Sequence, residues 1–172
     1  MKDILFQLDI CWQLFKYHIT DLSEEEAMWC KSEDGLKVFW DKEWKVDWPK
    51  TESYEIGPSS IAWTLWHILY WWKSVISASF DDKILTKDDV KWPGTVNAAL
   101  NEIEKCHEIW IKEISGMSDD ELKMTQKCKW PFENESMKKL CMWVNIEFMK
   151  NVSEIGTGRF LYAVSKEEQK NK

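Results

Sequence analysis

A chain of 172 residues fits one domain, long enough to bury a core that needs no disulfide or metal staple. A net charge of −7 and a single arginine, Arg159, leave no clustered basic surface for a phosphate backbone, so DNA and RNA are not expected partners. Hydrophobic content of 44% beside 31% charge suits a globular protein, and no apolar run reaches the length of about 18 residues that a membrane span requires, so no membrane is expected; thirteen tryptophans are the anomaly.

The opening "MKDILFQLDICWQLF" carries Ile4, Leu8, Cys11, Phe15 and Ile19 at three- and four-residue steps, which predicts a first helix with one buried stripe ending near Thr20. Acidic residues interrupt its apolar positions and no small-residue cleavage site follows, so it does not read as a signal peptide. In "LSEEEAMWC", Ser23 with Glu26 three residues on predicts a capping box over a short helical turn. "GLKVFWDKEWKVDWP" changes period: Leu36, Val38 and Trp40, then Trp44, Val46 and Trp48, alternate across Asp41–Glu43 as a small β-hairpin does.

"IGPSS" places Ser59 or Ser60 to start a second long helix running through Trp72 towards Phe80. "DDKILTKDDVKWPG" reads as a loop, and a third long helix over about residues 95–115 carries Val96, Leu100, Ile103, His107, Trp110 and Ile114 on one stripe, closed by Gly116. "SDDEL" is a short capped helix and "KWPFENES" a second loop. A fourth long helix begins near Asn134 or Glu135 and reaches about Tyr162. Three of the four prolines follow tryptophan, each in the approach to a long helix, where proline keeps the preceding residue extended. Four long helices in one domain over residues 1–165, with a solvated tail at 166–172, describe an all-α, up-and-down four-helix bundle with a hairpin between the first two long helices. Most of the tryptophans are then expected as lids over the bundle ends.

Five cysteines, without a C-x-x-C pair, sit mostly in apolar helical patterns and read as reduced, buried thiols of a cytoplasmic protein. The sequons at Asn134 and Asn151 are short enough to arise by chance. On the second long helix, Trp63, His67 and Tyr70 or Trp71 share a face, and a buried imidazole there needs partners for its nitrogens. On the fourth, Glu147, Asn151 and Glu154 fall on one face with Trp143. They are candidate metal ligands, or else a polar face whose carboxylates partner His67 and Lys150. His107 follows Glu104 in the E-x-x-H spacing of di-iron bundles, but such a site needs two copies and two further carboxylates, and this chain has one copy. His18 suits the negative end of the first helix. No nucleophile elbow, glycine-rich phosphate loop or haem attachment motif is present.

"CWQLFKYHITDLSEEEAMW", the hairpin segment, "IGPSSIAWTLWHILYWW", "VKWPG" and "WVNIEFMKNVSEIGTGRFLYAV" together resemble the DinB/YfiT-like superfamily, in a tryptophan-rich bacterial branch, over nearly the whole chain. The resemblance implies a four-helix bundle, often a homodimer, and in many members a divalent metal held by one histidine of the second long helix and an H-x-x-x-H pair of the fourth. Some relatives use a low-molecular-weight thiol in transferase or isomerase chemistry. His67 matches the first histidine; Glu147 and Asn151, or in a shifted register Ile146 and Lys150, stand where the pair would be. A His67–Glu147–Asn151 set is harder and weaker than three imidazoles.

The resulting expectation is a degenerate metal site inside a pocket of Trp63, His67, Trp71, Trp143, Glu147, Asn151 and Glu154 that takes a small-molecule ligand. The alternatives are a metal- and thiol-dependent transferase with Glu147 as ligand or base, and a structural or interaction homodimer.

Overall fold

The computed structural model describes residues 1–49 and 53–170, so the last two residues of the expected tail lie outside the described residues. Ten elements follow in order: α1 (Lys2–Ile19), α2 (Glu24–Met28), β1 (Val38–Trp40), β2 (Trp44–Val46), a 3-10 turn (Tyr54–Ile56), α3 (Ile61–Phe80), a second 3-10 turn (Lys87–Asp89), α4 (Val96–Ser115), α5 (Asp119–Lys123) and α6 (Met137–Lys170). Side-chain oxygens cap the starts of α3, α4 and α5, because the first backbone N–H groups of a helix have no internal partner. Ser60 accepts from the Trp63 N–H, Thr95 from Ala98 and Ser118 from Glu121. The hairpin pairs Val38 with Val46 and Trp40 with Trp44, placing the alternating apolar residues opposite one another.

Cross-helix contacts fix the directions. Asn145 on α6 donates to the Ile4 carbonyl and Arg159 to that of His18, so α6 runs parallel to α1. Gly158 approaches Ile61, Asn151 faces His67, and Phe148 packs on Trp72, which makes α3 antiparallel to α6. Lys73 pairs with Glu102 and Phe80 packs on Trp110, so α3 and α4 run the same way. The connection from Asp81 to Thr95 carries the chain back along α3, where the Trp66 indole donates to the Val90 carbonyl at 2.6 Å. The expected four-helix bundle with its hairpin is therefore present, with its directions ordered up, down, down, up rather than in strict alternation.

Several local expectations change. Ser23 caps α2, but Glu26 does not return to the Ser23 N–H; it turns to Arg159 instead. Gly116 ends α4 at φ −88°, in ordinary helical geometry rather than the left-handed region. The fourth long helix starts at Met137, over Ser136, and continues to Lys170 through most of the stretch read as tail, with Lys166 reaching Glu25 at 2.5 Å. Four of the thirteen tryptophans are core residues rather than lids: Trp66, Trp71, Trp72 and Trp110 are fully buried. No helix among the described residues is long and apolar enough to cross a membrane.

Candidate functional site

The α3 and α6 faces meet at Asn151, which is fully buried. Its Oδ1 accepts the Trp71 indole N–H at 2.9 Å, its Nδ2 donates to Glu154 Oε2 at 2.9 Å, and the same Nδ2 faces His67 Nδ1 at 3.4 Å. An indole nitrogen can only donate, so the oxygen of the amide must point at Trp71 and its two N–H groups at Glu154 and His67. His67 Nδ1 is then an acceptor, and the neutral ring carries its proton on Nε2. Among the described residues that Nε2–H has no hydrogen-bond partner. His67 and Trp71 lie four residues apart on one turn of α3, which is why a single amide reaches both.

Aromatic rings set the surroundings. Trp63 stacks on the His67 ring with centroids 5.1 Å apart and planes 9° apart, and its own indole is anchored to the Asp47 carbonyl at 2.8 Å. Trp143 meets Trp71 edge to face at 5.9 Å. Burial, reinforced by the nearby Lys150 ammonium, pushes the His67 pKa down to about 4. Lys150 in turn pairs with Glu147 at 2.5 Å, so that carboxylate is engaged one turn away from Asn151.

Of the seven residues expected in the pocket, six are thus linked ring to ring or by hydrogen bond: Trp63, His67, Trp71, Trp143, Asn151 and Glu154. Glu147 is tied to Lys150 instead. The set does not fit a metal. Asn151 offers an amide N–H, not an oxygen, towards His67, and Glu147 is spent on a lysine. Among the described residues no group of three His, Cys, Asp or Glu side chains could hold an ion. That finding also covers Glu104 and His107: the His107 ring lies flat on Trp12, with centroids 3.8 Å apart and planes 5° apart, and its Nε2 is buried without a partner among the described residues. Burial lowers the His107 pKa to about 4 as well.

Sequence reasoning missed the role of the only arginine. Arg159 grips Glu26 through Nε at 2.9 Å and donates from Nη1 to the carbonyls of His18, at 2.9 Å, and Thr20, at 2.7 Å. Arg159 therefore places a cation at the end of α1, beside Lys16 and His18 of its last turn. His18 packs its ring against Gly156, where a Cβ would sit 2.7 Å from the His18 Cε1. The signal available was a lone arginine in a lysine-rich chain, since the guanidinium fork suits one carboxylate plus carbonyls as an ammonium does not.

Cys11, Cys106, Cys128 and Cys141 are buried and Cys30 is partly so, all as free thiols. Burial raises the first four, Cys106 to about 11 and Cys141 to about 12, so these thiols stay protonated at neutral pH. Asn151, buried at the centre of the site, cannot accept a glycan. Two surface cavities lie away from His67. One, of about 460 Å³, lies beside His18 and Arg159; the other, of about 590 Å³, lies between α3 and α4.

A family model described as the DinB superfamily matches residues 7–155. No curated protein and no solved structure matches the chain significantly.

Proposed function

Since the chain belongs to the DinB superfamily, we propose that it is a ligand-binding member in which a hydrogen-bonded relay, Trp71 to Asn151 to His67, replaces a metal centre. The direction of the Asn151 amide carries this reading. A donor aimed at His67 Nδ1 fixes the ring as an Nε2–H donor, and such a donor beside the Lys150 ammonium suits a small molecule bearing a carbonyl or carboxylate oxygen. Trp63 and Trp143 supply apolar walls for its body. The test is elemental analysis by mass spectrometry of untagged protein purified without chelator, alongside His67→Ala. The reading expects no stoichiometric metal in either. About one ion per chain, lost in the variant, would restore the metal- and thiol-dependent transferase, and turnover with a bacterial thiol would then be the next assay.

A homodimer is a second reading, favoured by one observation. Phe6, Ile10, Leu14 and Tyr17 form an exposed stripe on α1, and Met142, Ile146 and Phe160 one on the adjoining α6, with Phe160 75% and Tyr17 72% exposed. Monomers rarely leave so many large apolar side chains together in water. A second copy of the chain would cover them by self-matching of the same face. Sedimentation should show a dimer that Ile10→Glu with Ile146→Glu dissociates; a monomer at high concentration would dispose of this reading.

A further inference from the structure

The face opposite α1 and α6 holds a second kind of feature. Between the parallel helices α3 and α4 runs the groove of about 590 Å³, a volume within the range of about 300–1,000 Å³ typical of small-molecule sites. Steps of three and four bring Lys73, Ile76 and Ser77 of α3 opposite Glu102, Lys105, Cys106 and Ile109 of α4. The apolar part of the lining is Ile76, Leu85 and Ile109, with Ile109 45% exposed, and the buried Cys106.

The rim is charged unevenly. Lys73 and Glu102 neutralise one another at 2.5 Å. That leaves Lys83 and Lys105 against Asp81, a local excess of positive charge on a chain whose net charge is −7. Ser77, a residue only 8% exposed, lines the groove and puts a hydroxyl among these charges. Its carbonyl meanwhile accepts the Asp81 N–H at 3.0 Å and the Lys83 N–H at 3.1 Å, which pins the start of the loop, and with it Lys83, over the groove.

We infer that this groove binds a free small amphiphile with a carboxylate head, such as a medium-chain acid: the head lies between Lys83, Lys105 and the Ser77 hydroxyl, and the apolar body lies along Ile76, Leu85 and Ile109. The site is separate from His67 and independent of the reading given for it.

Sodium octanoate is the probe, titrated into the full chain while the methyl resonances of Ile76, Leu85 and Ile109 are followed. Saturable one-to-one shifts are expected, with octyltrimethylammonium binding about tenfold or more weakly because its head meets lysines. Lys105→Glu should weaken octanoate by about tenfold and Asp81→Asn should tighten it by about threefold, as expected for charges near a surface. His67→Gln should leave the affinity as it was. Should Lys105→Glu disturb α4, Lys83→Glu in the loop makes the same test. Methyls that do not move, a cationic amphiphile that binds as well as the acid, or an affinity indifferent to every one of these charge changes would overturn the inference.

Discussion

The Trp71 indole N–H donates to Asn151 Oδ1 at 2.9 Å across the α3–α6 seam, joining two side chains that are 1% and 0% exposed. Neither atom has water to fall back on, so the bond costs little to keep and much to break. It also sets the handedness of the amide, and through it the state of His67.

Asn151→Ala should therefore lower stability by about 2–3 kcal/mol, from an unsatisfied indole N–H and a small cavity. Trp71→Phe removes the donor, so in its background Asn151→Ala should cost less. Urea denaturation of the four proteins of that cycle measures the coupling; additive losses would mean that the bond contributes nothing.

Acid should weaken the fold through its histidines. His67 and His107 both hold folded pKa values near 4, below the ordinary value of 6.5, so the unfolded chain binds more protons between those limits. Their contribution is complete above about pH 6.5 and is lost as pH falls towards 4. Thermal melts from pH 7 to pH 4 should show a falling midpoint whose slope is shallower in His67→Gln. Glu25, Asp89 and Glu121, lowered by their hydrogen bonds, add a further loss below the ordinary carboxylate range.

The Arg159–Glu26 pair ties α6 to the α1–α2 corner, with Glu26 8% exposed. Arg159→Ala should destabilise by about 2–4 kcal/mol because it strands a carboxylate that has little water. Arg159→Met combined with Glu26→Gln should cost less than Arg159→Ala alone. Chemical denaturation compares them, and a double variant worse than the single would show that the carboxylate is already well hydrated.

Helix positions, the hairpin and the caps at Ser60 and Ser118 were legible because periodicity and capping are local. The pairing of His67 with Asn151 was legible only as a shared set of faces: spacing placed each on its helix, and nothing local says which end of an amide meets which neighbour. The switch of Glu26 from its capping box to Arg159 was hidden for the same reason, since its partner lies 133 residues away. The parallel run of α3 and α4 depends on where a loop returns, which Val90 settles by accepting from Trp66. The burial of Trp66, Trp71 and Trp72 was not legible because the second long helix is apolar nearly all round and packs on more than one neighbour, so these rings belong to the core.

The state of the His67 ring is the most direct test of a hydrogen-bonded site. Long-range proton–nitrogen correlation spectra of nitrogen-15-labelled protein near pH 7 distinguish the tautomers. A neutral ring protonated on Nε2, with an acceptor-type Nδ1 and shifts unmoved by added Zn²⁺, Ni²⁺ or Mn²⁺, is the expected result. A ring protonated on Nδ1, or nitrogen shifts that move stoichiometrically with one of those ions, would contradict it.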